Sequence, residues 1–173
     1  MTFPIATHAT MTNEDLAEDV LRRAESCGLT IAVAESCTAG MLAATLSKAP
    51  GAGTHFHGGA VTYTKAAKNA VLGVPMDLLE AKSAVCAEVA EAMAAGALKL
   101  YGADVAVAIT GVAGPDPDAD GNPVGLVYCA SARRGADVRP ASVRIAPSCD
   151  RPEIIVARAL TEALSLLRRS CVR

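Results

Sequence analysis

Two short apolar runs set narrow limits on the fold of this chain: residues 29–34 (LTIAVA) and residues 104–110 (DVAVAIT). Neither run shows the polar alternation of a half-exposed strand, and strands of this kind are buried on both faces of their sheet. Stretches with apolar residues at helical spacing flank both runs, so strands and helices alternate along the chain. The sequence therefore predicts an α/β fold, a three-layer α/β/α sandwich with these two runs as central strands.

Three further strands are predicted at residues 59–63, 124–132 and 138–145. The last two are separated by Arg133-Arg134-Gly135 and are expected to pair as a hairpin. The sheet should therefore be mixed but mostly parallel. The order of the strands is not predicted.

Five helices are predicted from helical spacing and from the residues at their ends. They run from the Thr12 cap to Gly28, over residues 39–46, 64–72 and 86–101, and from Asp150 onward. The last helix begins with Asp150-x-x-Glu153, which imitates a capping box. Residues 50–53 (PGAG) are interpreted as a loop, and His55 and His57 as members of one solvated turn.

Composition excludes several classes of protein. A net charge of −2 argues against sequence-independent binding of nucleic acid, which requires a basic excess. No apolar run approaches the roughly 18 residues of a membrane span, and residues 1–11 lack the features of a signal peptide. We expect one cytoplasmic domain over residues 12–173, preceded by a short tail over residues 1–11.

The six cysteines are scattered without a C-x-x-C pair, so buried or capping thiols are expected rather than disulfides or a zinc site. The acidic residues 116–120 (DPDAD) are interpreted as a solvated loop, because a calcium loop would need a distal glutamate.

The segment Ala34-Glu35-Ser36-Cys37-Thr38-Ala39-Gly40 joins the first apolar run to a helix. A turn of small residues at this point exposes a hydroxyl and free backbone N–H groups at the positive end of the helix dipole. An anion or a developing oxyanion would be stabilised there. Alternatively, Ser36 or Thr38 serves only as a helix cap.

Two other loops follow predicted strands, at the edge where open α/β sheets bind ligands. Residues 62–68 carry Tyr63, Lys65 and Lys68, and residues 110–115 contain glycines that allow a ligand to approach the backbone. Taken singly, these loops are also explained by tight turns and solvated lysines. The three loops together supply a hydroxyl nucleophile, an amine base and backbone donors, as acyl transfer without histidine requires.

Three blocks resemble the signature blocks of the CinA C-terminal domain family, whose stand-alone enzymes are nicotinamide-nucleotide amidohydrolases. The blocks are Glu35-Ser36-Cys37-Thr38-x-Gly40, Val61-Thr62-Tyr63-x-x-x-Ala67-Lys68 and Thr110-Gly111-Val112-Ala113-Gly114-Pro115. The resemblance also includes Pro123-Val124-Gly125 and Asp150-Arg151, and so extends over nearly the whole chain from about Leu16. Larger competence/damage-inducible proteins carry an additional N-terminal domain, for which we expect no room in 173 residues.

The resemblance implies hydrolysis of the carboxamide of nicotinamide mononucleotide to nicotinate mononucleotide and ammonia, without metal or organic cofactor. It implies Ser36 as the nucleophile, Lys68 as the base and Tyr63 beside them. The residues expected to bind the substrate are Glu35, Cys37, Thr38, Gly40, Thr110, Gly111, Ala113, Gly114 and Arg151. Arg151 is preferred over Arg144 and Arg158 for the phosphate, together with backbone donors of the first and third loops.

The sequence departs from the family pattern in two places. Ala39 stands where the family often has glycine, and Thr64-Lys65-Ala66 replaces a more usual Ser-Asn-Glu, so that either Lys65 or Lys68 is a candidate base. A lysine base must be neutral, and its pKa must fall by roughly three units from a reference near 10.4. We expect burial to lower the pKa of Lys68 and repulsion from Lys65 to add to the effect.

Two other functions are considered. One is a nucleotide-binding regulatory module without turnover, and the other is a cysteine hydrolase using Cys37, for which the matching loops supply no histidine. The expected partners are a small nucleotide substrate and further copies of the chain in a homo-oligomer of unspecified size.

Overall fold

The computed structural model describes residues 11–135, 141–146 and 151–171, and within them it shows seven helices and a five-stranded sheet. The helices are α1 (Asn13–Cys27), α2 (Met41–Lys48), α3 (Ala52–His55), α4 (Lys65–Leu72), α5 (Met76–Lys82), α6 (Ala87–Tyr101) and α7 (Pro152–Ser170). The strands are β1 (Ile31–Glu35), β2 (Phe56–Val61), β3 (Val105–Gly111), β4 (Val127–Arg133) and β5 (Ala141–Ile145). None of the helices in these ranges is long and apolar enough to cross a membrane.

The strands are ordered β2-β1-β3-β4-β5 across the sheet. β1 pairs in parallel with β2 and β3, whereas β4 runs antiparallel between β3 and β5. The predicted α/β fold with a mixed, mostly parallel sheet is confirmed, and the two apolar runs are inner strands. The predicted hairpin is formed by β4 and β5, although residues 138–140 lie outside the described ranges.

The two faces of the inner strands carry side chains of different size. On β1, Ile31 and Val33 belong to the core beneath α1 and α7, whereas Ala32 and Ala34 belong to the core beneath α6. β3 repeats this alternation of branched side chains and alanine. One layer of the sandwich is therefore filled by large aliphatic side chains and the other largely by alanine.

Polar contacts define both ends of α1 and join it to α7. Thr12 and Asp15 form a reciprocal capping box at its start, and Gly28, with a left-handed φ of 64°, ends it. The buried carboxylate of Asp19 accepts hydrogen bonds from Arg23 on the same helix and from Arg168 on α7. The predicted helix is confirmed together with its cap and its glycine stop.

Several element boundaries differ from the prediction. Residues 50–53 are not simply a loop, because α3 begins at residue 52; His55 ends that helix and His57 lies in β2, so the two do not share a turn. The sequence pattern does not predict α5, whose seven residues are too few to show a clear helical period. α7 begins at Pro152, and Asp150 lies outside the described ranges.

Candidate active site

The carboxyl ends of three parallel strands place the site. β1 ends at Glu35 and is followed directly by Ser36, while Thr62 follows β2 and Val112 follows β3. Because β1 lies between β2 and β3, Ser36 is central at this edge of the sheet. Its side chain is only 7% exposed. The loop that carries Ser36 therefore lies between the loops that follow β2 and β3.

The carboxylate of Glu35 is a structural cap of α2. It is 1% exposed and accepts hydrogen bonds from the Thr38 hydroxyl and from the backbone N–H groups of Gly40, Leu42 and Ala43, at 2.7 to 3.1 Å. A buried carboxylate at this point compensates the positive end of the helix dipole.

The structure gives no support to the prediction that Glu35, Thr38 and Gly40 bind the substrate. The Glu35 carboxylate occupies the donors at the start of α2 that were expected to receive a phosphate. None of the three residues lines the pocket described below. Their role is to hold the turn that carries Ser36.

The backbone between Ser36 and α2 is left-handed at two successive residues. Ala39 has a φ of 49° and Gly40 a φ of 95°. Glycine adopts this conformation without strain, whereas for alanine it costs about 1 kcal/mol. The alanine that replaces the family's usual glycine thus stands at a position where a side chain is unfavourable, and α2 begins at Met41 rather than at residue 39.

Lys68 is the amine that reaches the serine. α4 begins after Thr64, whose hydroxyl accepts a hydrogen bond from the Ala67 N–H, and Lys68 points inward from its first turn. Its Nζ donates to Ser36 Oγ at 3.0 Å and to the Thr62 carbonyl at 2.7 Å. The side chain is 1% exposed, and burial lowers the pKa of Lys68 to about 8.

Lys65, the alternative base, lies in a different environment. Its Nζ is 2.8 Å from the carboxylate of Asp120, and both side chains are partly exposed. Burial is the cause of the lowered pKa of Lys68, with the neighbouring Cys37 acting in the opposite direction. The expected contribution of repulsion from Lys65 is not found, since the charge of Lys65 is paired with Asp120.

Cys37 lines the pocket beside Ser36, but its thiol is poorly suited to be a nucleophile. Burial raises the pKa of Cys37 to about 11, so the thiol is protonated at neutral pH. A thiolate is the reactive form of cysteine. The environment therefore disfavours the alternative of a cysteine hydrolase.

A pocket of about 450 Å³ opens over Ser36, within the size range of small-molecule sites. The sequence-predicted residues that line it are Ser36, Cys37, Tyr63, Lys65, Lys68, Thr110, Gly111, Ala113 and Gly114. The remaining wall comes from Ala84, Val85 and Val112 and, within the acidic loop of residues 116–120, from Asp116, Asp118, Ala119 and Asp120. The three predicted loops thus meet in one pocket, and the acidic loop forms part of it rather than being merely solvated.

The glycines of the third loop lie close to neighbouring residues, where a side chain would collide. A Cβ on Gly111 would lie 2.8 Å from the Leu126 carbonyl oxygen, and Gly114 has a left-handed φ of 98°. No acceptor is found among the described residues for the N–H groups of Ala113 and Gly114. The hydroxyl of Thr110, in contrast, donates to the Ala84 carbonyl at 2.7 Å and is not available to a ligand as a donor.

Two predicted site residues are placed differently from expectation. Tyr63 lines the pocket but is 66% exposed, and no hydrogen bond joins its phenol to Ser36 or Lys68. Arg151 pairs with Glu153 at the exposed start of α7 and does not line the pocket. A proton-passing role for Tyr63 and a phosphate contact by Arg151 are therefore not supported.

Comparison with known proteins identifies the family of this chain. Residues 13–171 match the CinA C-terminal domain. The chain belongs to this family. A CinA-like protein from Geobacter sulfurreducens is 48% identical over 143 residues, which are 82% of this chain and 33% of that protein. The chain thus spans about a third of the length of that relative.

Solved structures of CinA superfamily proteins have the same fold. One from Klebsiella pneumoniae superposes with a TM-score of 0.86 at 34% identity, covering 93% of this chain and 98% of that one. Another, from Enterobacter cloacae, gives a TM-score of 0.91 at 28% identity and covers 99% of both chains.

One wall of the pocket was not predicted from the sequence. Residues 83–86 join α5 to α6 and bring Ala84 and Val85 to the pocket. The Ser83 hydroxyl accepts a hydrogen bond from the Asn122 amide at 2.8 Å. Asn122 also donates from its backbone and its side chain to Asp118. The turn signal Asp120-Gly121-Asn122 was available in the sequence, but nothing in it indicated that this turn faces Ser36.

Proposed function

We propose that this protein hydrolyses the carboxamide of nicotinamide mononucleotide, giving nicotinate mononucleotide and ammonia. The observation that carries the proposal is the hydrogen bond between Lys68 Nζ and Ser36 Oγ, in which the amine is almost wholly buried. A serine hydroxyl needs a base in hydrogen-bond reach to become a nucleophile, and lysine serves only when neutral. Membership of the CinA family supports the substrate class.

In the first half of the proposed reaction, neutral Lys68 accepts the proton of Ser36 as Oγ bonds to the carboxamide carbon. The C=O electrons move to the oxygen, forming a tetrahedral oxyanion. The C–N bond then breaks, and protonated Lys68 gives its proton to the departing nitrogen, which leaves as ammonia. The product of this half is a nicotinate ester of Ser36.

In the second half, water attacks the ester carbon while Lys68 again accepts a proton. Ser36 Oγ is the leaving group and recovers its proton from Lys68. The Thr62 carbonyl, 2.7 Å from Lys68 Nζ, holds the amine in position in both halves. No atom of the protein is consumed, and one water is used for each ammonia released.

Backbone donors are available for the oxyanion. Ala113 and Gly114 line the same pocket as Ser36, and no acceptor for their N–H groups is found among the described residues. Donors that are already oriented before the reaction stabilise a developing oxyanion at little reorganisation cost. The exposed ring of Tyr63, which also lines the pocket, would stack on the pyridine ring of the substrate.

The proposal is tested by incubating the purified protein with nicotinamide mononucleotide and measuring ammonia and nicotinate mononucleotide together. Ser36→Ala should lower kcat by at least about 10³-fold while binding of the substrate persists, because only the attacking oxygen is removed. Cys37→Ala should keep most of the activity. Binding without ammonia release by the unmodified protein would instead establish a regulatory binding module, and the reverse response of the two variants would identify Cys37 as the nucleophile.

A further inference from the structure

None of the arginines predicted to bind the substrate's phosphate lies in the pocket. The start of α2 is occupied by the Glu35 carboxylate, and Arg151 is paired with Glu153 outside the pocket. Arg144 and Arg158 do not line the pocket either. A dianionic group entering this site needs a different cation.

Among the described residues that line the pocket, Lys65 and Lys68 are the only cationic side chains. Lys68 is committed to Ser36 and to the Thr62 carbonyl, and is nearly inaccessible. Lys65 is partly exposed, at the first position of α4 and one helical turn before Lys68. A substrate that places its carboxamide at Ser36 can therefore extend outward along α4 toward Lys65.

The present partner of Lys65 is an anion from the opposite wall. Its Nζ is 2.8 Å from the carboxylate of Asp120, which belongs to the acidic loop of residues 116–120. A partly exposed ion pair of this kind is weak, because water remains in contact with both partners. A phosphate with two negative charges and three acceptor oxygens competes well against a single carboxylate.

The acidic loop does not depend on this ion pair for its position. Asn122 bonds to Ser83 and to Asp118, and the Asp118 carboxylate also accepts from the Asp120 N–H. Lys65 can exchange partners while the wall stays in place.

We propose that Lys65 is the phosphate-binding residue of this site. In the absence of substrate its amine forms an ion pair with Asp120, and the phosphate of the substrate replaces the Asp120 carboxylate. This inference rests on the proposed function, since it assigns the phosphate end of the same substrate. It predicts opposite effects for the two members of one ion pair. Removing Lys65 should weaken binding of the mononucleotide, and neutralising Asp120 should strengthen it.

The test compares Lys65→Met, Lys65→Arg and Asp120→Asn with nicotinamide mononucleotide and with nicotinamide riboside, which lacks the phosphate. Lys65→Met keeps the alkyl stem but should raise KM for the mononucleotide by roughly tenfold or more, since a charge-assisted hydrogen bond is lost. Lys65→Arg should restore most of the affinity. Asp120→Asn should lower KM for the mononucleotide by about two- to fivefold, and KM for the riboside should stay unchanged in all three variants.

Asp116→Asn is the matched control for charge. Asp116 lies in the same acidic wall and lines the same pocket, but it forms no ion pair with Lys65. Its neutralisation removes the same formal charge without releasing the amine, so it should lower KM for the mononucleotide less than Asp120→Asn does. Equal effects of the two substitutions would mean that only the overall charge of the wall matters, and would overturn the proposal.

Two other results would also overturn it. Loss of kcat/KM for both substrates in both Lys65→Met and Asp120→Asn would show that the ion pair only holds the wall. Weaker binding of the mononucleotide after Asp120→Asn would show that Asp120 does not compete with the phosphate.

Titration with inorganic phosphate separates this inference from the proposed function. If the unmodified protein turns over neither substrate, the amidase proposal fails, and phosphate binding that is lost in Lys65→Met but kept in Lys65→Arg still supports the anion site. Phosphate binding that is unaffected by Lys65→Met, or absent from the unmodified protein, rejects it.

Discussion

Lys65 and Lys68 lie one turn apart on α4, yet their amines have different surroundings. Lys68 is buried and bonds to Ser36 and to a carbonyl oxygen, whereas Lys65 is partly exposed and meets a carboxylate. Burial without a counter-charge favours a neutral amine, and a paired carboxylate favours a charged one. One residue type is thus suited to be a base at one position and a cation at the other.

The pH dependence of the reaction should report the buried amine. Lys68 acts in its neutral form and its pKa is about 8, so about a tenth of the sites are competent at pH 7. We predict that kcat/KM rises between pH 6 and 8 and levels off above about pH 8.5, and that Lys68→Ala lowers kcat at least about 10²-fold. Initial rates of ammonia release across this range provide the measurement.

The riboside is a useful control for this profile, because it has no phosphate that titrates in the same range. Both substrates should show the same basic limb if the limb belongs to the enzyme. Full activity at pH 5 with a flat profile would contradict a lysine base.

At the scale of single elements, α2 depends on one buried side chain. The Glu35 carboxylate accepts four hydrogen bonds from the turn and from the first residues of this helix. We predict that Glu35→Gln lowers the free energy of unfolding by about 2–4 kcal/mol, since the amide NH₂ group faces donors and the charge is lost. Activity should fall as well, because the turn that positions Ser36 loses its support.

Glu25→Gln is the appropriate control for this change, since Glu25 is exposed on α1. Its effect on stability should stay within about 0.5 kcal/mol in urea titrations. A Glu35→Gln variant as stable as this control would show that Glu35 does not hold α2.

The elements that could be predicted are those whose sequence pattern extends over enough residues. β1 and β3 are continuous apolar runs, and α1 and α6 combine a long helical period with a glycine stop. α3 and α5 have four and seven residues, too few for a period to be visible. The late start of α2 follows from the left-handed backbone at Ala39, which an alanine in the sequence does not suggest.

At the scale of the whole molecule, part of the site could be predicted because parallel strands end at one edge of a sheet. Ser36, Tyr63 and Gly111 come from three such ends, and the structure brings them together in one pocket. The walls formed by Ala84, Val85 and the acidic loop depend on contacts between segments distant in sequence, such as the bond between Ser83 and Asn122. Contacts of this kind leave no periodic hydrophobic pattern in the sequence, so they could not be predicted from it.

Burial of Lys68 destabilises the folded protein at neutral pH. The pKa of Lys68 is 10.5 in the unfolded reference and about 8 in the folded protein, so the unfolded state binds more protons between these values. Stability therefore rises with pH from about 8 to 10.5, and below pH 8 the folded state carries the full penalty, of order 3 kcal/mol.

We predict that Lys68→Met is inactive yet about 1–3 kcal/mol more stable than the unmodified protein at pH 7, because the penalty disappears while the hydrogen bond to the Thr62 carbonyl is lost. This difference should shrink as pH rises from 7 to 10, since deprotonation removes the same penalty from the unmodified protein. Ser36→Ala, which is also inactive but keeps the amine, should retain the pH dependence of the unmodified protein. Urea titrations at pH 7 and pH 10 measure the free energy of unfolding of all three proteins. If the difference between Lys68→Met and the unmodified protein is the same at both pH values, burial of the charged Lys68 amine does not destabilise the fold.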